Sequence, residues 1–439
     1  MFKLPENLLL GVATAATQIE GGDTNNSWYE WATIPGHIKD GTSPLRGNDH
    51  YNRVEQDIAL MASMNIQIYR FGIEWSRIEP EEGVFDEKAI AHYRHELEIL
   101  KRYKIKPLVT LHHFSNPVWF EKQGAFENPL SPMKFLTFVS YTVNALADLV
   151  DEWITINEPN IYTVNGYFFG TWPPGRKNDF RALKKVYANL AASHIASYLE
   201  IHRIRQERGF LPLSTKVGFA NHLHVFSPLY KWNPLHRFSV KCMDTAFQDA
   251  ITRAAMTGIS RFPVKALPKK VGNISIVPGR YYDFIGINYY SRGAVSFLKD
   301  GLYPGVPLND LNWEIYASGI TEMAKRMYDE YLAPIYITEN GTCDNTDSFR
   351  SRYIYDHLKQ IVDSGLPIER YYHWTFMDNF EWAEGESACF GLVKVAYETQ
   401  ERTVRASGEF YSKIIEKKGV DQALFNEYVA HTSYNFEKR

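Results

Sequence analysis

Two glutamates in this sequence stand where apolar runs stop, and carboxyl groups in that setting can pass protons or attack carbon. The first run, Trp153-Ile154-Thr155-Ile156-Asn157-Glu158-Pro159, is aromatic and β-branched until it meets a carboxylate and a proline. Such residues suit a packed, pleated surface. Pro159 has no N–H for a central ladder, so pairing is expected to end near Glu158. The second run, Pro334-Ile335-Tyr336-Ile337-Thr338, is followed by Glu339 and the turn-forming pair Asn340-Gly341. If both tips open on one face of one sheet or barrel, they present two carboxyl groups to a shared cleft, the minimum equipment for glycosidic bond hydrolysis. Either motif alone is weak, since a glutamate beside a turn is commonly a solvated charge.

The elements that must place these tips alternate along the chain. Leu8 to Ala13 reads as a first strand, and Gln18-Ile19-Glu20-Gly21-Gly22 as a polar, glycine-ended loop at its exit. Residues 52–64 carry Val54, Ile58 and Met61 at helical spacing, before strand character returns from Gln67 to Ile73. Arg70 lies inside that strand, where a cation needs a partner, in either a structural ion pair or an active site. A helical stretch at 89–103 leads to a strand at 106–111 that ends at His112-His113. Helices at 133–150 and 183–205 flank the Glu158 strand, and the second precedes Lys216 to Ala220 and Asn221. A longer excursion, helical around 244–256, leads to a strand from Tyr282 to Ile287 with Asn288-Tyr289-Tyr290 at its tip. A helix at 323–331 precedes the Glu339 strand, and one at 354–364, closed by Gly365 and Pro367, precedes Tyr371 to Met377.

Eight strands, beginning near Leu8, Gln67, Pro107, Trp153, Val217, Phe284, Ile335 and Tyr372, thus alternate with helices. The expected fold is α/β, a (β/α)8 TIM barrel whose long βα loops form the active site. A doubly wound open sheet is the alternative, but no Gly-rich phosphate loop follows an early strand. With no internal repeat or linker in view, residues 1–439 read as a single catalytic domain.

Composition narrows the partners. Charged residues make up 23% and the formal net charge is −3, so no basic face is advertised for nucleic acid. Aromatics reach 15%, with 10 Trp and 28 Tyr, enough to fill a core and also to offer flat faces to sugars. The three cysteines, Cys242, Cys343 and Cys389, are odd in number and far apart, which fits a reducing, cytoplasmic setting rather than a disulfide framework. Leu8 to Ala16 resembles a signal-peptide core, but Pro5 and Glu6 interrupt its approach and a barrel strand is the preferred reading. No run has the length of a membrane span. His222 and His224 could share one face of a strand near His112-His113, but such pairs are commonly hydrogen-bonded structure, and neither metal nor cofactor is expected.

In a barrel the site lies at the C-terminal ends of the strands. The sequence places Gln18, Arg70, His113, Asn157, Glu158, Asn288, Tyr290, Glu339 and Trp374 there, followed by Asp378-Asn379-Phe380-Glu381-Trp382-Ala383-Glu384-Gly385. Amides and carboxylates can bind vicinal hydroxyls in pairs, and tryptophans supply stacking faces. From end to end the chain resembles glycoside hydrolase family 1, the retaining β-glycosidases. The resemblance rests on five motifs: Gln18 to Gly21, Tyr69-Arg70-Phe71 with Glu74 to Ile78, Thr155 to Pro159, Ile337 to Gly341, and Asp378 to Gly385.

That resemblance implies an exo-acting enzyme that hydrolyses β-glucosides, with β-galactosides and β-fucosides left open, so its partners would be small β-glycosides or oligosaccharides. It implies Glu158 as acid/base and Glu339 as nucleophile. It also implies that Gln18, His113, Asn157, Glu381 and Trp382 hold the glycone and that Trp374 is its platform. Arg70, Asn288 and Tyr290 would surround the nucleophile, with Trp313 on the aglycone side. Arg70, if it lies by Glu339, is expected to favour the ionised nucleophile.

Two departures bear on substrate choice: Phe114-Ser115-Asn116-Pro117 after His113, and Cys389 before Phe390, where many members carry Arg or Lys. Glu381 argues against phosphorylated sugars, whose charge it would repel. A silent sugar-binding relative would typically have lost one of the two carboxylates, and both are present.

Overall fold

The structure is a computed structural model and describes residues 1–297 and 299–436. Eight parallel strands close into a barrel: β1 (Leu9–Ala13), β2 (Ile68–Gly72), β3 (Lys106–Thr110), β4 (Glu152–Asn157), β5 (Lys216–His222), β6 (Ile285–Asn288), β7 (Ile335–Asn340) and β8 (Ile368–Trp374). Each pairs with the next in sequence, and β8 returns to β1 with Trp374 opposite Ala13. Closure excludes the open-sheet alternative. One main helix follows each strand: α1 (His50–Ser63), α2 (Glu87–Arg102), α3 (Ser131–Leu146), α4 (Phe180–Glu207), α5 (Ala250–Thr257), α6 (Ser318–Tyr331), α7 (Arg350–Ser364) and α8 (Ala406–Lys417).

Local chemistry explains these elements. The residues of β2, β4, β6 and β7 are buried throughout, as expected of parallel strands covered by helices outside and packed side chains inside. In α2, Asp86 accepts from the amides of Lys88 and Ala89, while Lys101 and Arg102 sit at the negative end of the helix dipole. Along its inner face Tyr93, Leu97 and Leu100 are buried. Gly365 ends α7 at a φ of 65°, in the left-handed region where a side chain would strain.

Several expectations need correction. Gln18 lies on one turn of helix, Ala16–Ile19, rather than in a loop. Glu339 and Asn340 remain within β7, because Asn340 spends its side chain on Tyr289 O and Tyr353 Oη instead of on a turn. The excursion after β5 is longer than expected: helix Pro234–Asp244 runs through a wide turn at Thr245–Asp249 into α5, and Val225–Pro228 pairs in parallel with Arg292–Val295. The last helix, α8, was not anticipated from the sequence. Tyr411 on it donates to Gly11 O in β1 at 2.7 Å, so it seals the barrel where the chain closes on itself.

Candidate active site

Register brings the strand tips together. Asn288 at the end of β6 is opposite Glu339 in β7, and Asn157 at the end of β4 is opposite Ala220 in β5. Beyond Asn157 the chain turns sharply. Glu158 adopts φ 41° and ψ 61°, a conformation that costs a non-glycine residue about 1–2 kcal/mol, and Pro159 then opens the short helix Pro159–Val164. The Glu158 amide donates to Ala220 O at 2.7 Å, which fixes the turn.

Arg70, fully buried in β2, ties the tips to one another. Its Nε donates to Thr110 Oγ1 at 3.1 Å, Nη1 to Glu339 Oε1 at 2.5 Å and Thr338 O at 3.0 Å, and Nη2 to Asn157 Oδ1 at 2.6 Å. The two readings of Arg70 therefore merge, since its structural ion pair is with the site's own carboxylate. Tyr290 Oη donates to the other Glu339 oxygen at 2.6 Å. Asn288 Nδ2 donates to Glu158 Oε1 at 2.8 Å and to Asn157 Oδ1 at 3.0 Å, while its Oδ1 accepts from Thr338 Oγ1 at 2.6 Å. Glu158 and Glu339 thus share one continuous hydrogen-bonded frame through Asn288, Asn157 and Arg70.

The same frame sets a histidine tautomer. Asn157 Oδ1 accepts from both Arg70 and Asn288, so its Nδ2 must face His113 Nε2, 2.9 Å away. That nitrogen is then an acceptor and the proton sits on Nδ1. Burial, with the nearby Arg70 charge, pushes the His113 imidazole well below its usual value, so the ring is neutral.

On the far side of the pocket Gln18 Nε2 donates to Phe380 O at 2.8 Å, Asn379 Oδ1 at 3.1 Å and Glu381 Oε2 at 3.3 Å. Its buried Oε1 has no protein partner among the described residues. Arg405, just before α8, anchors this loop through two bonds to Asp378, at 2.9 and 2.7 Å. His113 stacks between Trp374 and Trp382, with ring centroids 5.7 Å from each. Gly341 permits this wall, since a Cβ there would lie 1.8 Å from Trp374 O. Trp382 in turn packs on Trp28 at 4.8 Å, and Trp172 packs on Trp28 at 5.1 Å. Trp313 stands apart at the rim, 39% exposed, edge-on to Tyr290 at 5.9 Å and beside Phe390 at 6.0 Å.

Arg70 favours the ionised Glu339, as expected, but burial opposes it. Burial pushes the Glu339 carboxyl up to about 7 although Arg70 and the Tyr290 hydroxyl both work downward, because the charge of Glu158 adds to the desolvation. Arg70 therefore limits the rise without reversing it. Burial, reinforced by Glu339, also pushes Glu381 up to about 8, against hydrogen bonds from Trp374 and Gln18.

All twelve residues singled out from the sequence gather around this cavity or its rim. Within the first departure, Phe114 packs on Trp382 at 5.2 Å, whereas Asn116 turns away to His112, Glu121 and Tyr162. The histidines considered for a metal have other partners. His112 Nε2 meets Asn116, His224 meets Asp300, and no group of three metal-ligating side chains occurs among the described residues. His222 was placed in the wrong context, because its Nδ1 lies 3.3 Å from Glu158 Oε1. Thr110, Thr338, Trp28 and Trp172 were missed; the threonines lie near the ends of barrel strands, whereas Trp28 sits on the short helix Ser27–Ala32.

A closed α/β barrel with two framed glutamates, a set of amides and tryptophan walls at its C-terminal face defines a carbohydrate-active hydrolase. Residues 2–420 match the model of glycosyl hydrolase family 1. The chain is 31% identical to a 1,4-β-D-glucan glucohydrolase of Thermotoga neapolitana, over 96% of this chain and 100% of that protein. It is 26% identical to a β-galactosidase of Pyrococcus woesei, over 96% and 99%. A solved structure of β-glucosidase from Thermotoga maritima in complex with glucoimidazole superposes with a TM-score of 0.88 at 29% identity, covering 96% of this chain and all of that one. The chain therefore belongs to glycosyl hydrolase family 1. It is an O-glycosyl hydrolase of the retaining class.

Proposed function

We propose that this enzyme removes β-D-glucosyl residues from the non-reducing ends of small glycosides and oligosaccharides, with Glu339 as nucleophile and Glu158 as acid/base. One observation carries the assignment of roles. Glu339 receives a guanidinium and a phenol, whereas Glu158 receives an amide and an imidazole. The cation and the short phenolic bond favour an anion at Glu339, the group that attacks carbon, and leave Glu158 to exchange the proton.

In the first step a Glu339 oxygen bonds the anomeric carbon while that carbon's bond to the aglycone breaks. Glu158 gives its proton to the departing oxygen. In the second step Glu158 takes a proton from water, whose oxygen bonds the same carbon and frees Glu339. Gln18 with its open Oε1, together with His113, Asn157 and Glu381, would hold the sugar hydroxyls against Trp374 and Trp382, and Trp313 would face the aglycone. The tryptophans behind Trp382 close the glycone end, which supports exo action. The glucohydrolase and β-glucosidase names of its relatives favour glucosides, with β-galactosides as further substrates. We read residues 1–439 as one catalytic unit. Three unpaired cysteines support work in a reducing compartment such as the cytoplasm. Proton NMR of the earliest product tests the mechanism: β-glucose first is expected, and the α-anomer first would overturn it.

A further inference from the structure

His222 ends β5 directly beside Glu158, and nothing in the catalytic steps above uses it. Its Nδ1 lies 3.3 Å from Glu158 Oε1, the oxygen that already accepts from Asn288 at 2.8 Å. The Asn288 amide cannot turn round, since its Nδ2 also donates to Asn157 Oδ1, which Arg70 fixes as an acceptor. Both side-chain contacts to Glu158 fall on Oε1, and Oε2 has no donor among the described residues.

His222 is held through its backbone and its ring. His222 O accepts from Asn160 Nδ2 at 2.8 Å, on the short helix that starts right after Glu158, and Leu223 N donates to Asn288 O at 2.9 Å. The ring lies parallel to Tyr290, 5.8 Å away at 12°, and edge-on to Phe247 at 5.9 Å. Tyr290 is the donor to Glu339. The partners of the two carboxyl groups are therefore stacked on each other, so the imidazole is placed by the same ring that serves the opposite glutamate.

We propose that His222 is a positioning residue for the acid/base, with its Nδ1–H donating to Oε1 so that the proton of Glu158 resides on Oε2. Two donors on one oxygen leave the other as the site of protonation. The proton on Oε2 then passes to the glycosidic oxygen as the bond to the anomeric carbon breaks, with the electron pair leaving on the aglycone. On the return step Oε2 recovers a proton from water, and Nδ1–H stabilises the transient carboxylate. A separation of 3.3 Å is long for such a bond, but contacts of this kind tighten once substrate closes the site.

The inference rests on Glu158 being the acid/base, and one set of measurements separates the two ideas. kcat/KM is measured on phenyl and 2,4-dinitrophenyl β-glucosides for wild type, His222→Phe, His222→Asn and Glu158→Ala. Phenylalanine keeps the ring stack and removes the donor; asparagine restores a donor near the same place. If His222 positions the acid, His222→Phe loses on the order of tenfold on the phenyl substrate, which needs protonation. On the dinitrophenyl substrate, which does not, it stays within about twofold. Asparagine should return most of the phenyl activity. Equal losses on both substrates, no loss on either, or no recovery with asparagine would overturn the proposal, because a merely structural histidine ignores the leaving group. If Glu158→Ala itself fails to discriminate between the substrates, the fault lies with the acid/base assignment. Thermal melts of both His222 variants identify any that fail to fold, and the second then decides.

Discussion

Replacing Tyr290 with phenylalanine removes one oxygen and leaves the ring that stacks on His222 and meets Trp313. The lost interaction is the 2.6 Å bond from the phenol to Glu339 Oε2. Burial, and next the Glu339 charge, holds the Tyr290 phenol well above its usual value, so it is a donor throughout the working pH range. A hydrogen bond to a charged group contributes about 1.5–3 kcal/mol. At roughly 1.4 kcal/mol per unit, its loss raises the Glu339 carboxyl by about 1–2 units. The sign follows from the acid: without the donor the anion is less stable, so Glu339 keeps its proton to higher pH. Catalysis needs the ionised form, so the acid limb of kcat/KM, expected near the value of about 7 to which burial pushes Glu339, moves upward. On the acid side of the profile kcat/KM should fall by about 10- to 100-fold, and part of the deficit should return as pH rises. A pH series of kcat/KM on an activated aryl β-glucoside reads this directly. Melting temperature serves as the control for folding. A loss of the same size at every pH, with the limb unmoved, would refute the idea that the phenol acts by holding Glu339 ionised.

Three further outcomes follow from the same geometry. Glu339→Ala should lose activity by several orders of magnitude with any leaving group, while Glu158→Ala should retain turnover of dinitrophenyl glucoside and be rescued by azide as the β-glycosyl azide. Azide on Glu339→Ala should enter the vacated face and give the α-azide; swapped anomers by NMR would reverse the roles. Away from the site, His50 lies between Asp57 at 2.8 Å and Glu96 at 3.4 Å. Burial works to lower it, but the two carboxylates outweigh this and push it up to about 10. A group raised in this way contributes stability that is complete below its unfolded value near 6.5 and is lost as pH climbs toward 10. His50→Gln should therefore cost about 3–5 kcal/mol in urea unfolding at pH 6 and clearly less at pH 10, and an equal cost at both would show that His50 is not charged.

How much of this was legible in the sequence depended on how each residue is placed. Glu158 and Glu339 could be found because proline and glycine punctuate the strands that carry them, and punctuation is a one-dimensional signal. Gln18 was located but its helix was not, because a four-residue turn is too short to show a period. α8 follows the last strand and joins no two strands, so the alternation of strand and helix does not mark it. His222 and His224 were read as sharing one strand, but β5 ends at His222 and His224 lies beyond it, and no local pattern could say that one faces Glu158 and the other Asp300. That difference is set by β6 and its following loop, some 65 to 75 residues further along the sequence.

The least legible property is the one chemistry depends on most, the protonation of the buried acids. From the sequence, Arg70 beside Glu339 was expected to favour the ionised nucleophile, and it does. In the folded protein the same arginine also serves Thr110, Thr338 and Asn157, while the tryptophan and tyrosine walls exclude the water that would otherwise solvate the anion. Glu339 is thus held between a cation that favours its charge and a desolvated setting that opposes it, and only the three-dimensional sum of the two gives a value near neutrality. A glucoside entering this site would displace what water is left and offer Glu339 the developing positive charge of the anomeric carbon. That developing charge is a further partner for the anion, so its charge is most stabilised where the transition state forms.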